Sequence, residues 1–370
     1  MTARRRDGNF VESNIHMKNL LTLLLSLLAV GTLAAQQLGE LKTSVLDYGT
    51  RKFEQSGNRI YIADFNVHYQ VLFSATNSQA AQKKRNGFRA GSRVSSAVAL
   101  PGIPEAELLR ITDEMYAGFR AQLEAAGYTF IDADGASGID AYEDWTRVEG
   151  GTVSRAQVNG YVTVTPQGAD FYVPRIKNSG KRGKKFFDNT PYISSQLDDA
   201  IVARVDIYVP FAEDGESGWS RSLGRMTDES KVVLRTRMRL GSPTVIQETG
   251  LRALTTSISD QFSGPPPATR ILFASGRVGA GSTAQYAVSL KKDLEISGVM
   301  NDEKIKRYAV GGYDFTPSYV GSLGLYSAES QEVDSFVAVD YDLDAYLEGV
   351  RRAVDAYVTE AVSGFIHEAK

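Results

Sequence analysis

Hydrophobic residues alternate between two periods along the chain, which predicts a protein with both strands and helices. Arg59–Phe73 (RIYIADFNVHYQVLF) is rich in β-branched and aromatic residues and predicts a long strand. Ser74–Ala97 is mostly polar, and we expect it to be a loop. In Pro104–Ala126 apolar residues recur every three or four positions, as in an amphipathic helix. Tyr128–Asp132 then predicts another strand.

The rest of the chain is mainly of strand type and ends in a long helix. The predicted strands are Gln157–Thr165, Ile201–Val209, Val232–Leu240, Arg270–Ser275, Gln285–Ile296 and Arg307–Phe315. A helix is expected over Val245–Phe262, followed by a boundary at Gly264–Pro267. The final helix is predicted over Asp342–His367. The fold class is therefore α/β (α+β), a mixed sheet flanked by amphipathic helices with a β-rich insertion.

We expect a signal peptide that begins at Met17 rather than at residue 1. Lys18 supplies the positive charge, Leu20–Leu33 is an uncharged apolar run, and Ala34 and Ala35 form a cleavage site. We expect the chain to divide into a leader over 1–35, an α/β module with the β-rich insertion over 36–263, and a β-rich segment with the C-terminal helix over 264–370. The last two parts are expected to pack on one core.

Composition removes several classes of chemistry. The chain has no cysteine, which excludes disulfides, cysteine metal sites, cysteine nucleophiles and a lipidated cysteine. Its 41 basic and 44 acidic residues give a net charge of −3, which does not favour nucleic acid as a partner. We predict no cofactor and no metal.

Histidines are few, and the acidic residues are more simply explained by local structure. His68 and His367 have no second histidine at ligand spacing, so one is interpreted as a strand histidine and the other as a C-terminal helix cation. Asp132 and Asp134 follow a predicted strand and could serve a carboxylate-dependent hydrolase, as could Asp340. The acids that lead into the last helix, Asp340, Asp342 and Asp344, are interpreted as caps.

Three arginines form the one candidate interaction surface. Arg235, Arg237 and Arg239 alternate with Leu234, Thr236, Met238 and Leu240, and so share one face of a predicted strand. A solvated sheet face is the simplest interpretation, and an anion-binding surface is the alternative.

Five segments in order resemble the α/β module of the curli secretion channel (CsgG) family and the N-terminal domain of TolB-type proteins. They are IYIADF (Ile60–Phe65), the helix Glu107–Gly127, YTFIDA (Tyr128–Ala133), AQVNGYVTV (Ala156–Val164) and the helix Leu343–Val362. The resemblance covers about half of the chain after the leader. It implies a sheet flanked by helices and a role in the cell envelope.

The leading functional hypothesis is a non-enzymatic cell-envelope protein, a component of assembly, secretion or scaffolding. We expect it to be exported to the periplasm or the outer membrane, or secreted. Its expected partners are other envelope proteins and further copies of itself, and any membrane association is expected to be peripheral rather than spanning. A secreted hydrolase and a soluble anion- or ligand-binding module are the alternatives. If the resemblance extends to a ring-shaped channel, Ile201–Val209 and Val232–Leu240 would pair as a membrane hairpin.

Overall fold

A computed structural model describes most of the chain after the expected leader. The described residues are 37–79, 82–84, 87–89, 92–154, 157–158, 160–174, 189–215, 231–242, 268–279, 281–308, 313–315, 319–320, 322–324, 331–333 and 336–370. The expected leader, the helix over Val245–Phe262 and the boundary at Gly264–Pro267 lie outside these residues.

The elements are numbered in chain order. The strands are β1 (Thr43–Tyr48), β2 (Arg59–Gln70), β3 (Leu72–Gln79), β4 (Gln82–Lys84), β5 (Gly87–Arg89), β6 (Ser92–Ala99), β7 (Thr129–Ile131), β8 (Trp145–Val148), β9 (Thr152–Ser154), β10 (Tyr161–Thr165), β11 (Phe171–Pro174), β12 (Ile201–Val209), β13 (Ala212–Asp214), β14 (Lys231–Thr236), β15 (Arg239–Leu240), β16 (Arg270–Ser275), β17 (Ala284–Leu290), β18 (Leu294–Glu295), β19 (Glu303–Tyr308), β20 (Tyr313–Phe315), β21 (Tyr319–Val320), β22 (Leu323–Gly324), β23 (Gln331–Val333) and β24 (Phe336–Ala338). The α-helices are α1 (Glu105–Ala125), α2 (Thr190–Gln196) and α3 (Leu343–Glu368). Two 3₁₀ turns cover Thr50–Ser56 and Asp140–Tyr142.

A mixed sheet forms the centre of the molecule, in the order β1-β17-β16-β12-β2-β10-β9, with β7 beside the start of β2. Strand β2 runs parallel to β12 and β7, and the other pairs are antiparallel. The α/β (α+β) class expected from the sequence is confirmed. Strands from both sides of the expected boundary after residue 263 lie in this one sheet, since β16 pairs with β12.

Helices α1 and α3 pack on one face of the sheet and build the main core. Their apolar stripes are buried as the period predicts, including Phe119 of α1 and Val354 of α3. The ring of Phe365 stacks on that of Phe273 in β16, with 3.9 Å between centroids. Among the described residues, no helix combines the length and apolarity that crossing a membrane requires.

The start of α3 confirms the capping interpretation for Asp342. The Asp342 side chain accepts a hydrogen bond from the backbone N–H of Ala345 (2.9 Å). This bond satisfies one of the backbone donors that the first turn of every helix leaves without an intrahelical partner.

The prediction of a loop over Ser74–Ala97 is wrong. Strand β3 follows β2 after one residue and pairs antiparallel with β6, from Leu72 opposite Ala99 to Gln79 opposite Ser92. Strand β24 joins the other side of β6. The side-chain polarity suggested a loop, but a hairpin satisfies backbone groups equally well whatever the polarity of its side chains.

The single strand expected over Val232–Leu240 is also wrong. The segment divides into β14, which pairs with β13 and β19, and β15, which pairs with β18. Arg237 and Met238 belong to neither strand, and the N–H of Arg237 donates to the carbonyl of Phe211 (2.8 Å). Strand β12 pairs with β2 and β16 in the sheet centre, so the membrane hairpin expected from Ile201–Val209 and Val232–Leu240 is not formed.

Candidate functional site

The three arginines that the sequence singled out lie in a network of carboxylates. Arg239 is fully buried, with its Nε 3.0 Å from Asp293 Oδ2 and its Nη2 3.2 Å from Glu213 Oε2. Arg237 lies 2.9 Å from the same glutamate and 2.8 Å from Glu295. The prediction of a solvated sheet face is therefore wrong for Arg239. Arg239 keeps the alternation of the stripe, and its side chain is buried against the two carboxylates, which compensate its charge.

The pKa values in this cluster depend on burial and on the neighbouring charges. Burial lowers the pKa of Arg239, while the neighbouring Glu213 and Asp293 oppose that effect. Arg235, at the rim, pairs with Asp302. The hydrogen bond from Arg235 lowers the pKa of the Asp302 carboxyl. The arginine charges are thus balanced within the chain, and a role for Arg235, Arg237 and Arg239 as an interaction surface stays a prediction.

A second polar cluster lies along β2 and β12, and sequence reasoning did not find it. Arg204 donates to Asp64 Oδ2 (2.5 Å) and, through Nε, to Thr190 Oγ1 at the start of α2 (2.9 Å). Asn66 Nδ2 donates to Asp206 Oδ1 (3.2 Å). These side chains lie on the sheet face opposite α1 and α3, since their strand neighbours on the other side belong to the main core.

His68 joins this cluster to the neighbouring strand β10. Its Nδ1 lies 2.8 Å from Thr163 Oγ1, and its Nε2 lies 3.3 Å from Asp206 Oδ1. Its ring stacks on that of Tyr208, with 4.2 Å between centroids. The arrangement resembles a relay of hydroxyl, imidazole and carboxylate, but Thr163 is fully buried. The side chain of Asp206 is 42% exposed and is the solvent-facing end of this relay. His68 and Thr163 therefore orient the Asp206 carboxylate, and the relay does not present a nucleophile.

A shift of register brings the cluster together. Ala203 lies opposite Ile62, whereas Arg204 lies opposite Asp64, so Ala63 is the extra residue of a bulge in β2. Beyond it, alternate residues of two parallel strands face each other on one side. The period of two in DFNVH and RVDIY is visible in the sequence, but the pairing of strands about 140 residues apart is not.

The acids proposed for a hydrolase have local partners. Asp132 Oδ1 accepts from the N–H of Gly135 (2.7 Å), and Asp134 lies 2.6 Å from Arg147. Asp340 lies just before α3. His367 is on the exposed last turn of α3, 3.4 Å from Glu368. Within the described ranges, no three histidine, aspartate or glutamate residues gather as a metal site would require.

Strand β1 forms one edge of the central sheet and exposes apolar side chains. Val45 is 47%, Leu46 59% and Tyr48 43% exposed. Among the described residues the fourth exposed large apolar side chain is Val278, in the turn before β17. β1 pairs antiparallel with β17, and no other described strand pairs with it. The cluster of Thr43, Val45 and Tyr48 could have signalled this strand, but it was not predicted.

Comparison with known proteins finds no relative of this chain. No family model, no curated protein and no solved structure matches the chain. What the chain does is therefore inferred from its own residues and geometry.

Proposed function

We propose that this protein is a non-enzymatic component of the cell envelope, with a role in assembly, secretion or scaffolding. Its working surface is the edge strand β1. The observation that carries the proposal is that three of the four exposed large apolar side chains of the described residues, Val45, Leu46 and Tyr48, lie on this one edge.

An edge strand of this kind is suited to binding another strand. Its outer N–H and C=O groups are available to a second chain, and side chains on either face add apolar contact. Proteins that avoid such pairing usually shorten the edge strand or place lysine or proline in it. β1 is six residues long and contains neither, and Asp47 is its single charged residue.

Two observations support the envelope as the compartment. The sequence from Met17 to Ala35 has the order of a signal peptide. The first described residues after the expected cleavage site already contact the rest of the fold, because the carbonyl of Gln37 accepts from Ser297 N–H (3.0 Å) and the N–H of Gly39 donates to Glu295 (2.8 Å). Cleavage after Ala35 would therefore leave these contacts in place. The resemblance to the curli secretion channel family favours the same compartment.

Cell fractionation followed by native electrophoresis tests the proposal. We expect the protein to fractionate with the envelope, to begin near Gln36 by N-terminal sequencing, and to migrate in an assembly larger than a monomer. Val45→Lys should release it from that assembly, because a lysine on an edge opposes strand addition. Val278→Lys, the same change at an exposed valine outside β1, should not. A cytoplasmic protein, or an assembly indifferent to Val45→Lys, would contradict the proposal.

A further inference from the structure

We infer that the strand bound by β1 is the β1 strand of a second copy of this chain. The two strands pair antiparallel about a two-fold axis at Val45, so that two central sheets join into one. This inference rests on the proposed function in one respect only, that β1 is the working edge.

The backbone of β1 determines which groups are available. The N–H of Lys291 donates to the carbonyl of Lys42 (2.8 Å), and the register continues from Thr43 opposite Leu290 to Tyr48 opposite Gln285. Backbone groups of successive residues in a strand point to opposite sides. Lys42 therefore faces β17, and Thr43, Val45 and Asp47 direct their N–H and C=O groups outward.

Symmetry then restricts the register. An antiparallel pair across a shared edge is related by an axis perpendicular to the sheet, so each side chain stays on its own face and one residue lies opposite its own copy. Hydrogen-bonded pairs must join outward-facing residues. With Val45 on the axis, Val45 lies opposite the partner's Val45, and Thr43 lies opposite the partner's Asp47.

The side chains favour this register over its neighbour. In it the carboxylate of Asp47 lies opposite a hydroxyl, and Tyr48 lies opposite the aliphatic stem of the partner's Lys42. No like charges face each other, which would destabilise a strand pair. Moving the axis to Leu46 would place Asp47 opposite a valine. The Val45 register also covers the three apolar side chains that the single molecule exposes.

The mass of the purified protein in solution, measured by light scattering over a range of concentrations, is the first test. The protein expressed from its full sequence should show twice the monomer mass at high concentration. Val45→Lys places two lysines opposite each other and should raise the dissociation constant at least ~10-fold, about 1.4 kcal/mol. Val278→Lys should leave it unchanged. A protein that is monomeric throughout, or equally dimeric as Val45→Lys, overturns the inference.

Single cysteines test the register, and the absence of native cysteine makes the test clean. Residues in a hydrogen-bonded antiparallel pair have Cα atoms about 5.5 Å apart, within disulfide range. Val45→Cys should therefore form a covalent dimer under mild oxidation. Leu46→Cys places the two thiols on a diagonal about 7–8 Å long and should cross-link several-fold more slowly. Faster cross-linking through Leu46→Cys, or equal cross-linking through Val278→Cys, would overturn the proposed pairing.

The outcomes separate this inference from the proposed function. If the purified protein is a monomer but its envelope assembly still depends on Val45, the edge binds a different protein and the self-pairing is wrong. If the purified protein is a Val45-dependent dimer but fractionates with the cytoplasm, the self-pairing holds and the envelope role is wrong.

Discussion

The arginine cluster and the edge strand β1 use their residues in opposite ways. Arg237 and Arg239 carry charge, which in a sequence suggests an external partner, yet both lie against carboxylates of the same chain. β1 carries almost no charge and was not predicted as a strand, yet it exposes Val45, Leu46 and Tyr48. A group whose interactions are satisfied internally has little left to offer a partner. An exposed apolar edge that pairs with no further described strand has much more.

The largest expected effect tests whether Arg239 is stabilised by ion pairs within its own chain. Arg239→Met leaves Glu213 and Asp293 buried with one cation fewer, and should lower the free energy of unfolding by about 3–5 kcal/mol. Arg235→Met, in the same stripe but one-third exposed, should cost roughly 0–1 kcal/mol. Urea denaturation of the two variants measures both values. Equal costs would mean that Arg239 is not embedded as described.

The second effect concerns the end of β1. Gly49 has a φ of 63°, and a Cβ there would lie 2.3 Å from the carbonyl oxygen of Thr283. Gly49→Ala should therefore cost about 1–3 kcal/mol and loosen the edge. Gly57 has the same φ, and a Cβ there would make only an ordinary contact, 3.9 Å from Arg59 Nε, so Gly57→Ala isolates the backbone cost. Thermal unfolding should rank Gly49→Ala below Gly57→Ala, and the reverse order would argue against the close approach to β17.

A smaller effect appears in the pH dependence of stability. The pKa of Asp302 is lowered by Arg235, so its contribution is complete above an unfolded value of about 3.9 and is lost as the pH falls through the folded pKa. Burial raises the pKa of Asp355 in α3, so its protonation on acidification favours the fold. Asp302→Asn should make the acid-side loss of stability shallower, and Asp355→Asn should make it steeper. Acid titrations followed by circular dichroism would show slope changes of the same sign if either assignment is wrong.

The smallest expected effect tests whether Val45 of β1 contributes to the stability of the monomer. Val45 is half exposed and contributes little to the core of its own chain, so Val45→Lys should change monomer stability by no more than about 0.5 kcal/mol. Denaturation at a concentration where the protein is monomeric measures this. A loss of several kcal/mol would show that Val45 supports its own fold instead of serving a partner.

Regular elements with a strong local period could be predicted from the sequence. α1, α3 and β12 match their predicted ranges closely. The two helices each bury one apolar stripe, and β12 is a buried run of β-branched residues that Pro210 follows. The hairpin of β3 and β6 was not predicted, because its few apolar residues, such as Val94 and Val98, are buried in the main core but are separated by polar residues in the sequence.

The candidate sites depended on contacts between distant parts of the chain. The bulge at Ala63 and the parallel pairing of β2 with β12 place Asp206 beside His68. Neither feature can be predicted from a short stretch of the sequence. The burial of Arg239 depends on Glu213 and Asp293, which come from other parts of the chain, whereas its local alternation is the same as that of the partly exposed Arg235. β1 was missed because a six-residue edge strand that buries neither face carries no clear apolar period.

Disulfide trapping in intact cells tests the central claim most directly, since it requires both export and self-pairing at β1. Disulfides persist in an oxidising compartment and not in the cytoplasm, and the native chain has no cysteine to interfere. Cells producing the Val45→Cys protein should contain a dimer of twice the chain's mass that a reducing agent returns to monomer, while cells producing Val278→Cys should not. Only monomer from Val45→Cys, or the same dimer yield from both variants, would contradict the account.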